Sequence, residues 1–119
     1  MRCVLYAHDM EPITVFNLTE ASYRFLRKNR MAHLPIPSQK VKMVMPGDPI
    51  VMEKIDVRVV AEIVFVRGVE RMILVTPDEE CALLLKCAFL PGQVSGVQEH
   101  EKSAFSRGVL YALSRLGEI

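Results

Sequence analysis

The stretch from Ile55 to Val75 limits most strongly what this chain can become. Ile55, Val57, Val59, Ala61, Ile63 and Phe65 alternate with the charged Asp56, Arg58 and Glu62. A period of two sustained over that length is the pattern of a strand with one apolar face. Arg67-Gly68-Val69-Glu70 then turns the chain into a second strand from Arg71 to Val75, so a hairpin is expected. A domain that contains this hairpin has to be organised around a sheet.

The rest of the chain is read around that hairpin. Cys3 to Ala7 and Ile13 to Leu18 are rich in Val, Ile and aromatic residues and are expected to pair antiparallel across His8-Asp9-Met10-Glu11-Pro12. Thr19 stands where a helix N-cap belongs, with Glu20 in the first turn. Leu18, Ala21, Phe25 and Leu26 are then expected to face the core, with Arg24, Arg27 and Lys28 on the opposite side. His33-Leu34-Pro35-Ile36-Pro37 cannot continue a helix. Lys40 to Met45 and Ile50 to Glu53 read as strands flanking the turn Pro46-Gly47-Asp48-Pro49. Ile50 and Met52 are out of phase with Ile55, which places a bulge or break near Lys54.

Two helices complete the chain. Thr76-Pro77-Asp78-Glu79 predicts an N-terminus in which Thr76 caps, Pro77 opens the helix and Glu79 reaches back. That helix runs through Ala82 to Leu90 and ends at Pro91-Gly92. A last helix opens at Ser95 or Gly96, carries the stripe Phe105, Gly108, Val109, Ala112, Leu113 and Leu116, and stops at Gly117. Glycine at position 108 predicts a close helix crossing there. The order is ββαβββαα, an α+β fold with a mainly antiparallel sheet of about five strands and helices packed on one face.

Length and composition bound the object further. A chain of 119 residues, half of them hydrophobic, fits a single domain over residues 1–119 and is not a disordered segment. Cys3, Cys81 and Cys87 make an odd count without paired short spacing, unlike a disulfide framework or a zinc ribbon. No run approaches the length of a membrane helix or of a signal-peptide core, so a cytoplasmic protein without a membrane partner is expected.

Charge supplies the only long-range chemical bias. Between Ala21 and Gly47 lie six basic residues, Arg24, Arg27, Lys28, Arg30, Lys40 and Lys42, and no acidic one. The remainder holds nine basic residues against fourteen acidic. Such asymmetry marks a surface that meets an anion, with phosphates or carboxylates as the contacted groups. The competing reading is a solvated helix face whose charges pair with acids from elsewhere in the fold. Met31, Ile36, Met43, Met45 and Met52 cluster in the same region and are expected at an apolar, homo-oligomeric interface, methionine being adaptable at binding surfaces.

Other polar groups read as ordinary surface or structural residues. His8, Asp9 and Glu11, and the run Glu99-His100-Glu101, lack metal-ligand spacing. Cys81 sits near a helix start that lowers a thiol pKa, but Asp78, Glu79 and Glu80 oppose this. No phosphate-binding loop, dinucleotide fingerprint or nucleophile elbow occurs. No catalytic residue, metal site or cofactor is therefore expected. The sequence predicts a non-catalytic interaction or regulatory module that binds an acidic protein surface or nucleic acid through Arg24 to Lys42. Two alternatives stand beside it. One is a small enzyme or ligand binder with a pocket between sheet and helices that includes His8, Asp9, Glu11 or His100. The other is a structural subunit of a larger assembly.

Overall fold

Residues 1–37, 54–89 and 97–117 are described by the structure, a computed structural model. The β-branched and aromatic runs form β1 (Arg2–Ala7), β2 (Pro12–Asn17), β4 (Lys54–Val66) and β5 (Val69–Thr76). Seven residues with two prolines form β3 (Met31–Pro37), and the helices are α1 (Glu20–Asn29), α2 (Glu79–Ala88) and α3 (Glu99–Arg115). The five strands lie in the order β2-β1-β5-β4-β3. Every neighbouring pair is antiparallel except β1 with β5. The fold is α+β, as the alternation and helix signals predict.

The structure holds a strand, β3, that the sequence pattern does not propose. Lys40 to Met45, Ile50 to Glu53, the turn between them and the break expected before Lys54 lie outside the described residues. The strand found is the proline-containing segment, and its place in the sheet explains how prolines are tolerated. The Ala61 N–H donates to the Arg30 carbonyl across the end of the β3–β4 ladder, at 2.6 Å. That bond fixes the phase of the ladder, so the odd residues of β3 turn their backbone nitrogens away from β4. Pro35 and Pro37 are odd, and the donors they lack belong to the side of β3 that pairs with no other strand among the described residues.

Both faces of the sheet are covered, a correction to the expectation of helices on one face. Cys3, Leu5, Val57, Val59, Met72 and Leu74 pack with Tyr23 and Leu26 of α1 and with Ala82 and Leu85 of α2. Val4, Tyr6, Val60, Val64, Ile73 and Val75 pack on the other side with Phe105, Val109 and Leu113 of α3. The even residues of β4 explain the difference. Asp56, Arg58 and Glu62 make that face look solvated, yet Val60, Val64 and Val66 stand on it too, and burying them requires a second layer.

Local corrections follow from the same packing. In α1 the buried pair is Tyr23 and Leu26, whereas Ala21 is exposed and Phe25 stands 53% exposed on the outer side. Asp78, not Thr76, caps α2, accepting from Glu80 N and Cys81 N at 3.0 and 3.1 Å. Thr76 is held two residues earlier as the last rung of β5 against Ala7. Gln98 caps α3 in a reciprocal arrangement with Glu101. Ser95 and Gly96, expected there, lie outside the described residues, as do Leu90 and Pro91-Gly92. Arg67 and Gly68 both adopt positive φ and form the two-residue turn that joins β4 to β5.

The Thr76 hydroxyl is fully buried and its oxygen has no hydrogen-bond partner. A buried unpaired hydroxyl costs free energy that an isosteric methyl does not. Thr76→Val is therefore expected to stabilise the fold by about 1 kcal/mol, seen as a higher urea midpoint with an unchanged slope. An unchanged or lower midpoint would count against this reading.

Candidate functional site

The basic residues of α1 are presented by a well-determined helix. Thr19 Oγ1 accepts from Ser22 N at 3.2 Å at the N-terminus. At the other end Arg30 adopts a left-handed conformation, its N–H donating to Leu26 O at 2.9 Å. Glu20 in the first turn and Arg27 and Lys28 in the last complement the helix dipole. With Tyr23 and Leu26 turned to the sheet, Arg24, Arg27, Lys28 and Arg30 line one shallow, open depression of about 350 Å³.

Two of these four cations already hold carboxylates. Arg24 pairs with Glu20 one turn earlier. Arg27 Nη2 donates to Glu70 Oε1 at 2.9 Å, while Glu70 Oε2 accepts from the Tyr23 hydroxyl at 2.8 Å. Burial, reinforced by Glu70, pushes the Tyr23 phenol up to about 12. Lys28 and Arg30 form no ion pair among the described residues, and the Arg30 Nη1 is buried without a hydrogen-bond partner. The arrangement is thus partly the neutralised helix face and partly an exposed cationic surface. Lys40 and Lys42 lie outside the described residues.

Of the expected apolar interface only Met31 and Ile36 are described, and they lie on opposite faces of β3. Ile36 is only 2% exposed and belongs to the core beneath α1 and α2, which corrects its placement at an interface. Met31 is 52% exposed. By strand alternation it faces the opposite side of the sheet from Ala32 and Leu34, which pack with the α1 side. Met43, Met45 and Met52 lie outside the described residues.

Asp9 and Glu11 are engaged structurally. Lys86 Nζ sits 3.0 Å from Asp9 Oδ2 and 2.9 Å from Glu11 Oε2, tying the β1–β2 loop to α2. The hydrogen bond from Lys86 holds the Asp9 carboxyl below its usual range, and Glu11 and Asp9 in turn raise Lys86. Burial, followed by Asp78, raises the Cys81 thiol. Burial pushes Cys3 up to about 11. The Cys87 side chain is outside what the structure describes. No group of three metal-capable side chains converges among the described residues. A slot between sheet and α3, lined by Arg2, Arg71 and Phe105 among others, is about 20 Å³, the size of one water.

One feature of the surface is invisible in the alternation pattern. β3 pairs with β4 only as far as Val60, so Glu62 to Val66 have a strand neighbour on the β5 side alone among the described residues. Phe65, on the expected apolar face of β4, is 64% exposed. A groove of about 380 Å³ runs along that edge, between Glu62 to Phe65 and the α3 residues Arg107, Gly108 and Tyr111. No helix among the described residues is long and apolar enough to cross a membrane. No family model, curated protein or solved structure matches this chain, so no function is carried over from a relative.

Proposed function

We propose that the protein is a small non-catalytic binding module that meets an acidic protein surface through the basic side of α1. The observation that supports this is the convergence of Arg24, Arg27, Lys28 and Arg30 on one open depression, against only Glu20 and Glu70. Arg24 and Arg27 each hold one carboxylate oxygen within the fold, so carboxylates are a group these side chains already contact. Lys28 and Arg30 supply charge that Glu20 and Glu70 leave over. Such a surface steers an acidic partner and contributes chiefly to encounter and orientation.

Binding to polyglutamate, followed by fluorescence anisotropy, tests this directly. Affinity is expected to fall steeply as salt rises and the Debye length shortens below roughly 10 Å. The double variant Arg24→Glu/Lys28→Glu leaves the Arg27–Glu70 pair in place and is expected to bind at least about tenfold more weakly, since each reversal changes local charge by two. Retained salt-sensitive binding in the folded double variant would rule this surface out. Tighter binding to a single-stranded oligonucleotide than to polyglutamate would reassign the partner to nucleic acid.

A further inference from the structure

We infer that the unpaired half of β4, from Glu62 to Val66, is a strand-addition site for an extended acidic segment of the partner. This rests on the proposed reading of the α1 surface and names how the partner is gripped. The Ala61 N–H points to the β3 side, as its bond to Arg30 O shows. Alternation along the strand then points the N–H and C=O of Ile63 and Phe65 the same way, and those of Glu62 and Val64 toward β5. Four backbone groups are thus aimed outward past the end of β3, with no partner among the described residues. A row of this kind is a template for an added strand, main-chain bonds supplying affinity and flanking side chains selectivity.

The chemistry on each side of the edge selects the occupant. Toward α3, the groove wall carries Arg107, which forms no ion pair among the described residues, and Tyr111, 59% exposed. The one acid in the groove, Glu62, is held by Arg115 at 3.2 Å. Toward α1, Phe65 stands opposite Glu70 in the β4–β5 ladder, and Glu70 holds Arg27. An added strand would meet the unpaired Arg107 and the Tyr111 ring on the α3 face, and the Phe65 ring beside the Arg27–Glu70 pair on the α1 face. Acidic residues alternating with apolar ones satisfy this pattern, because successive side chains of a strand point to opposite faces. The edge of β3 offers less, since Pro35 and Pro37 remove two of its four outward donors and leave those of Met31 and His33.

The probe is a labelled decapeptide of alternating glutamate and valine, compared with the same peptide N-methylated at every second residue and with polyglutamate of equal length. The plain decapeptide is expected to bind at least tenfold more tightly than either control. Its binding is expected to slow amide hydrogen exchange at Ile63 and Phe65 more than tenfold and to leave Val64 unchanged. Phe65→Pro removes an outward donor without touching the β5 ladder and should abolish the preference. Arg107→Glu/Tyr111→Ala, which alters only the groove wall, should weaken binding if the proline variant does not fold. Equal binding of all three peptides, lost in Arg24→Glu/Lys28→Glu but without protection at Ile63 and Phe65, would overturn strand addition and leave the basic surface standing. No binding of any peptide would overturn both. A preference for single-stranded oligonucleotide without that protection would also overturn it.

Discussion

Gly108→Ala is expected to destabilise the protein by about 1 to 3 kcal/mol, although it exchanges glycine for the best helix former in the middle of a helix. In an exposed helix the same change stabilises by about 1 kcal/mol. Here an added Cβ would lie 2.6 Å from Val64 Cγ1 and 2.7 Å from Ile73 Cδ1. Ile73 is fully buried in the central strand, and Val64 is β-branched with restricted χ1 freedom. Neither can withdraw without disturbing its own packing, so α3 has to lift from the sheet. Urea unfolding reads the sign. Val64→Ala in the Gly108→Ala background should recover part of the loss, and Gly108→Val should cost more than alanine. A more stable Gly108→Ala protein would mean that α3 docks less closely than its neighbours indicate.

That glycine shows where sequence patterns carry the fold and where they stop. The stripe Phe105, Gly108, Val109, Ala112 and Leu113 is buried as its spacing predicts, and the glycine does mark a close approach. The approach is to a sheet rather than to another helix, because spacing identifies a face and not what covers it. The same limit governs β4. Its odd residues form the expected apolar row, but the valines interleaved with Asp56, Arg58 and Glu62 form a second row, and three charges were enough to mask it. Phe65 belongs to the first row by alternation and is exposed, whereas Val64 and Val66, equally beyond β3, are buried with the α3 cluster; which face a helix covers is a tertiary fact with no local signal.

The basic surface was legible as composition and not as geometry. Arg24, Arg27, Lys28 and Arg30 are close in sequence, and one helix is enough to bring them together. Their neutralisers could not be read in the same way. Glu20 lies just outside the acid-free window and reaches Arg24 by helical spacing, whereas Glu70 arrives from the far strand of a hairpin. Tyr23, which shares Glu70, is not on the face that a helix phase through Phe25 assigns to the core. An exposed phenylalanine on an amphipathic helix misleads any reading by hydrophobic period.

Alkaline pH is expected to destabilise the protein progressively from about pH 8 upward. Burial pushes Cys3 up to about 11 and, with Glu101 adding to it, Tyr6 up to about 12; Tyr23 is likewise raised to about 12 by burial and Glu70. All three side chains are almost wholly buried. In the unfolded chain a thiol releases its proton near 8.5 and a phenol near 10, so across the interval the unfolded state binds fewer protons than the folded one. Stability is therefore complete below about pH 8 and declines as pH rises from there through 12, by roughly 1.4 kcal/mol per pH unit for each group in its own interval. Tyr6→Phe keeps the edge-to-face contact with Phe105, whose ring centroid lies 6.3 Å away, and removes one titrating group. It should flatten the decline above about pH 10 while leaving stability at neutral pH nearly unchanged. Cys3→Ala should flatten it between about 8.5 and 11, at the expense of a small cavity. Urea midpoints that stay constant from pH 8 to 11 in the unmodified protein would show that these side chains ionise in place, and that the two apolar layers around the sheet admit water where the fold indicates that they exclude it.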